Sequence, residues 1–293
     1  MPYIFLHIPK AGGSTLLEIL TLQFGQRHLF DLEDRFRESV DTTQQKITKK
    51  NDFWLETSRD EIFAKRLQDF QQLTDSQRSD IQLIRGHYAF NYYQNIPNFE
   101  SANYFTMLRN PTDRLISHYS FARENSWHYL HELVLQQNLS FHDYLKLPIP
   151  ELHNGMVRLV IGKETEIELT DNHLAEAIQI LESRFIHMGI IEMFDESLFL
   201  LGKVLNWNNI PAYVKTNITE NKIAFSEVPT ETVQLIERNN SLDIQLYQWA
   251  KEQFIKKWQQ FPELDFALRC YKQKNKLYGH WNRLKFFLKR SFS

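Results

Sequence analysis

Three short stretches combine residue types suited to holding anions and moving protons. Pro9-Lys10-Ala11-Gly12-Gly13-Ser14-Thr15 sets one ammonium and two hydroxyls around a pair of glycines. Glycine lets backbone N–H groups approach an anion closely, and the first N–H groups of a following helix add partial positive charge. The loop therefore has the parts of a phosphate or sulfate cradle. It is not the G-x-x-x-x-G-K-[ST] nucleotide loop, because Lys10 precedes the glycines and His7 stands five residues ahead of Gly12. An ordinary glycine-bearing turn between strand and helix is the competing reading. In Leu108-Arg109-Asn110-Pro111-Thr112-Asp113-Arg114-Leu115-Ile116-Ser117, Arg109 ends an apolar run. A guanidinium there is costly without an anion, and its planar fork suits a phosphate. Ser117, about two turns on, offers a hydroxyl to the same group; alternatively Arg109 pairs with Asp113 and Ser117 is only a helix residue. In Gly86-His87-Tyr88 the imidazole of His87 is suited to taking a hydroxyl proton near neutral pH. Packing at a strand end is its alternative role. His7, His118 and His128 compete on location, with His7 expected to point into the sheet and His118 to sit one position past the phosphate-binding helix face.

These stretches must be positioned by the elements before them. Tyr3–Ile8 is a short apolar run of the kind found in buried parallel strands, followed by helical spacing at Leu16, Leu17, Leu20 and Phe24. Thr15 and Glu18 have the spacing of a capping box. Ile81–Arg85 and Asn103–Leu108 predict two more strands, and Asn110-Pro111 is a good N-cap and first-residue pair for a helix reaching about Asn125. Phe185–Ile191 predicts a fourth strand, between helices near Asp171–Glu182 and Asp195–Leu205; the chain from Thr230 on reads as helical. Such alternation implies an α/β fold, P-loop-like and three-layered, with a central parallel sheet flanked by helices. Ligands of such sheets bind beyond the carboxyl ends of the strands, which is where Lys10, His87 and Arg109 fall. The polar stretch of about 35–80 reads as a helical or irregular insertion.

Taken in order, Lys-x-Gly-Gly-[Ser/Thr] and Arg-[Asn/Asp]-Pro-x-x-Arg-x-x-Ser resemble the PAPS-dependent sulfotransferases, and most of all the carbohydrate branch of heparan sulfate and chondroitin O-sulfotransferases. The likeness extends weakly into 185–204. The resemblance implies a co-substrate, 3′-phosphoadenosine 5′-phosphosulfate (PAPS). Lys10, Ala11, Gly12, Gly13, Ser14 and Thr15 would hold its 5′-phosphosulfate, with Lys10 on the bridging oxygen, and Arg109 and Ser117 its 3′-phosphate. It implies His87 as the base, and more weakly Lys215 and Lys222 at the adenosine end and Asn154 and Arg158 near the acceptor. The acceptor would be a hydroxyl, on a carbohydrate by the branch resembled. The rivals are a nucleotide-dependent kinase with an atypical phosphate loop, and a binding protein for nucleotide or glycan that has lost catalysis. Lys10 preceding the glycines and the missing Mg²⁺-binding carboxylate pattern argue against the kinase.

Composition bounds the rest. The chain has 293 residues, 42% hydrophobic and 14% aromatic, enough for one substantial domain, expected over 1–265. Cys270 is the only cysteine, so neither an intrachain disulfide nor a cysteine-based zinc site can form. No metal-ligand spacing is present either, and none is expected to be needed. The start of the sequence lacks the pattern of a signal peptide and no long apolar run occurs, so a cytoplasmic location is expected. The 266–293 tail, expected to be helical, carries eight basic residues and no acidic ones; the remainder has 26 basic against 36 acidic. Its interleaved aromatics suit packing on the domain, peripheral contact with an anionic membrane, or capture of an acidic glycan. Nucleic acid is not expected of an acidic body without a recognition motif.

Overall fold

The computed structural model describes residues 2–32, 59–126, 128–163, 168–214 and 223–291. Strands β1 (Tyr3–Leu6), β2 (Leu29–Asp31), β3 (Leu83–Gly86), β4 (Asn103–Leu108) and β5 (Phe185–Ile190) form one sheet in the order β2-β3-β1-β4-β5. Every pairing is parallel. Parallel neighbours need crossovers. Here α1 (Gly13–Phe24) follows β1, while α2 (Arg59–Gln72) and α3 (Asp75–Asp80) precede β3. Between β3 and β4 lies α4 (Phe90–Tyr93). Between β4 and β5 lie α5 (Pro111–Glu124), α6 (His131–Gln136), α7 (Phe141–Tyr144), α8 (Gly155–Ile161) and α9 (Asp171–Arg184). After β5 come α10 (Phe194–Val204), α11 (Thr230–Asn239), α12 (Ser241–Trp258) and α13 (Leu264–Ser291).

Successive strand residues face opposite sides of a sheet. Ile4, Phe5 and Leu6 are all 0% exposed, so both faces of β1 are covered. This is the flanked parallel sheet that the alternating pattern implies. A second apolar cluster, including Leu115, Ile116, Tyr144 and Ile236, packs around α5 away from the main core.

Two local expectations need correction. Helix α1 starts at Gly13 with Gly12 as its N-cap, and no side chain caps it. The Thr15–Glu18 pair therefore lies inside the first turns rather than at the boundary. Strand β2 was not anticipated: three residues after a short 3-10 turn carry too little periodicity to show. By contrast, Asn110 does cap α5, its side chain accepting from Thr112 and Asp113 N–H at 3.0 and 3.3 Å. Of the polar 35–80 stretch, α2 and α3 are helical; residues 33–58 lie outside the described residues.

Candidate active site

The sheet register sets the first alignment. Leu6 pairs with Gly86 on one side and with Thr106 on the other. His7 and His87 thus leave the sheet abreast, and Arg109 emerges from β4 next to the loop that follows β1.

That loop is shaped by close approaches. Lys10 and Gly12 both occupy the left-handed region, at φ 65 and 76. A Cβ on Gly12 would fall 2.1 Å from Ile191 Cδ1, and one on Gly13 would fall 1.5 Å from His7 Nε2. Only glycine fits at either place. Gly12 brings no side-chain cap to the start of α1, so the positive end of that helix dipole lies at the loop.

Lys10 Nζ sits 3.4 Å from the centroid of the Phe121 ring. Burial, and then Arg109, lower its ammonium from 10.5 to about 8, against the opposing pull of Glu151 and Glu124. The cation–π contact with that ring offsets part of the burial, and an anion in the loop would stabilise the charged form further.

Arg109 points its guanidinium into the same place. Its Nη1 donates to the Lys10 carbonyl at 2.8 Å, while its Nε is buried without a partner. Burial lowers its pKa, and the charges of Asp113 and Glu192 oppose this. Asp113 therefore acts on Arg109 through space while the hydrogen bond goes to the loop. The turn carrying Arg109 is held by Glu192, whose carboxylate accepts from Asn110 N–H and from the Tyr247 hydroxyl, both at 2.9 Å. Ser117 is buried on α5, four residues before Phe121, so the two share a helix face. That face reaches Lys10 through the Phe121 ring.

His87 is oriented by the strand beside it. Its Nδ1 lies 2.7 Å from the His7 carbonyl, which can only accept. Nδ1 therefore donates to that carbonyl. The two rings lie against each other, centroids 3.8 Å apart and planes tilted by 35°. His7 does not simply point into the sheet: it is wedged under Gly13 and against His87. Burial, then His87, Arg85 and Lys10, hold it neutral, well below its ordinary pKa.

The other two histidines are structurally engaged. In His118, Nδ1 meets the Tyr144 hydroxyl at 2.6 Å and Nε2 meets Glu151 Oε1 at 3.0 Å. His128 accepts from Leu130 N–H, and burial, then His118, drop its pKa to about 3. Burial would raise the Glu151 carboxyl, but His118, by charge and hydrogen bond, then Arg114 and His128, hold it below the usual carboxylate range.

Asn154 and Arg158 join α8 to α12 and its surroundings. Asn154, at φ 53, accepts from Leu242 and Asp243 N–H at 3.0 Å each. Arg158 donates from Nε to the His153 carbonyl at 2.9 Å. Asp243 accepts from the Met156 and Val157 N–H groups and faces Arg114 at 3.6 Å, with both side chains of that pair fully buried. Lys215 and Lys222 lie outside the described residues. Among the described residues, no group of three or more His, Cys, Asp or Glu could hold a metal.

The structure thus gathers Lys10, the glycine loop, His7, His87, Arg109 and, through Phe121, the Ser117 face of α5. Sequence reasoning missed Phe121, Glu192 and the supporting position of His7. For Phe121 the one signal was its four-residue spacing from Ser117; for Glu192 and His7 there was none, since their contacts join separate strands.

Residues 2–250 match the sulfotransferase family. Among curated proteins, the galactosylceramide sulfotransferase of Mus musculus is 28% identical over 279 residues, covering 88% of this chain and 58% of that protein. The chain thus spans little more than half the length of that relative. A solved sulfotransferase from Alicyclobacillus acidocaldarius is 15% identical with a TM-score of 0.43, the match covering 88% of this chain and 99% of the other.

Proposed function

This chain belongs to the sulfotransferase family, and from that premise we propose that it moves a sulfuryl group from 3′-phosphoadenosine 5′-phosphosulfate to a hydroxyl on a carbohydrate. The observation that carries the proposal is the meeting of Arg109 and Lys10. One cation has a buried donor without a partner, the other is held in its charged state at a cost, and a hydrogen bond ties them together. A ligand with two separate anionic groups suits two adjoining cationic sites.

The roles follow from the chemistry. The Lys10–Thr15 loop, with Ala11, Gly12, Gly13 and Ser14 between, would hold the 5′-phosphosulfate. Arg109 and Ser117 would hold the 3′-phosphate. The acceptor hydroxyl gives its proton to His87 Nε2 as its oxygen bonds to sulfur. The bond from sulfur to the bridging oxygen breaks, and the adenosine 3′,5′-bisphosphate that leaves keeps the electron pair beside Lys10. Because this leaving group is a phosphate facing an ammonium and a helix N-terminus, fixed charges can do the work a metal does elsewhere. Lys215 and Lys222 are proposed to contact the adenosine end. Asn154 and Arg158 are proposed to act on the acceptor side through the placement of α8.

The motifs resemble heparan sulfate and chondroitin enzymes, while the curated relative is named for galactosylceramide. A sugar hydroxyl is common to both, and it is the acceptor class proposed. Calorimetric titration with adenosine 3′,5′-bisphosphate, set against ATP with Mg²⁺, tests the reading. Tight binding of the bisphosphate is expected, weakened by about 10–100-fold in Arg109→Ala, the scale of lost charge-assisted hydrogen bonds. Preference for ATP, or no binding of either, would discard the proposed activity in favour of a kinase or a non-catalytic protein.

A further inference from the structure

The buried face of α12 mixes two kinds of side chain. Leu242, Leu246, Ala250 and Phe254 are packed into the core, while Asp243 and Tyr247 bring a carboxylate and a hydroxyl into the same stripe. Asp243 is fully buried and Tyr247 nearly so. Standing four residues apart, the two leave the helix on one face. A buried carboxylate is costly unless hydrogen bonds and opposite charge surround it. Both side chains find their partners around the motif that begins at Arg109.

Tyr247 acts at the start of α5. Its hydroxyl donates to Glu192 Oε2, and Glu192 Oε1 accepts from Asn110 N–H, both at 2.9 Å, so the phenol steadies the residue that follows Arg109. Asp243 acts one turn further on. Its Oδ2 lies 3.6 Å from Arg114 Nη2, and its two oxygens accept from Met156 and Val157 N–H at 3.0 and 2.9 Å, at the start of α8. In return Asn154 Oδ1 accepts from Leu242 and Asp243 N–H, so α8 and α12 satisfy free N–H groups at each other's beginnings. Arg114 Nη2 also donates to the Glu151 carbonyl at 3.0 Å, while its Nε and Nη1 have no hydrogen-bond partner among the described residues. One nitrogen thus fastens this guanidinium, and Asp243 is the carboxylate that faces it.

Asn110 and Arg114 both lie between Arg109 and Ser117 in the chain. Helix α12 therefore grips α5 at its cap and on its first turn, inside the segment whose two ends would hold one phosphate. On the reading that Arg109 and Ser117 bind the 3′-phosphate, we propose that Tyr247 and Asp243 are positioning residues for that phosphate, setting the Arg109 guanidinium against the Ser117 hydroxyl. A role confined to packing would weaken every nucleotide alike. Positioning of this pair acts only on ligands that carry a 3′-phosphate.

The test is calorimetric titration of the full chain with adenosine 3′,5′-bisphosphate and with adenosine 5′-monophosphate, whose affinity ratio reports the 3′-phosphate alone. Tyr247→Phe keeps the ring and removes only the hydroxyl. It should lower the ratio by about two- to tenfold, the scale of one lost hydrogen bond, through loss of bisphosphate affinity. In an Arg109→Ala background the same substitution should change the ratio no further, because its effect passes through Arg109. Asp243→Asn, which removes the charge facing Arg114, should also lower the ratio, and by more. A ratio that Tyr247→Phe leaves unchanged, or an equal weakening of both nucleotides, would overturn the inference. A wild-type chain with no preference for the bisphosphate would instead overturn the assignment of Arg109 and Ser117, and the positioning role with it.

Discussion

Lys10 holds its charge against its surroundings, and that has a measurable consequence. Its ammonium, lowered to about 8 by burial and by Arg109, is mostly charged at neutral pH and loses its proton as pH rises through that value. An arriving phosphate stabilises the charged form and moves the pKa back up, so binding near pH 8 must take up a proton. Titration of adenosine 3′,5′-bisphosphate in buffers of different ionisation enthalpy should reveal this uptake. Affinity should also fall on the alkaline side of about pH 8, and Lys10→Arg should abolish both effects. A proton balance unchanged by that substitution would remove Lys10 from the phosphate site.

At the scale of elements, the site depends on how tightly the loop after β1 is drawn onto its neighbours. His7, the first residue beyond β1, fills the space where a side chain at Gly13 would go. It also carries the carbonyl that accepts from His87 Nδ1. Gly13→Ala must displace the imidazole or the start of α1, a collision of the overpacking kind that costs about 1–3 kcal/mol. In a His7→Ala background the ring is gone and the added methyl has room. Chemical denaturation of the two single variants and the double should therefore give a double variant more stable than additivity predicts. Strict additivity would mean that His7 does not set the space at Gly13.

For the whole molecule, several buried histidines make the fold sensitive to acid. Burial, and then neighbouring charges, lower His128 and His187 to about 3, and His7 is also held low. An unfolded histidine titrates near about 6.5. Between these values the unfolded chain binds more protons than the folded one, so stability rises with pH there and is lost as pH falls. The depressed Glu151 carboxyl acts in the same direction further down, its contribution present above the usual carboxylate range and lost as pH falls through it. Thermal unfolding followed from pH 7 to 5 should show a falling Tm. His187→Leu, which removes a buried ring whose Nε2 has no partner, should make that slope shallower. A slope unchanged by the substitution would show that His187 does not contribute to it.

The sequence by itself determined four of the five strands, their alternation with helices, and the ligand-bearing ends of three strands. Those signals are local: apolar runs, a glycine pair, and an Asn-Pro cap are set by backbone sterics and by burial of neighbouring residues. The resemblance carried by Lys10–Thr15 and Arg109–Ser117 was legible for the same reason, since each motif is contiguous. Only tertiary structure decided that Arg109 donates to the Lys10 carbonyl, that Phe121 lies under the ammonium, that His118 is occupied by Tyr144 and Glu151, and that His7 holds both Gly13 and His87 in place. Each of these contacts joins residues on different elements. Their geometry is fixed by the parallel register of β3, β1 and β4 and the seating of α5, which depend on packing across the whole core.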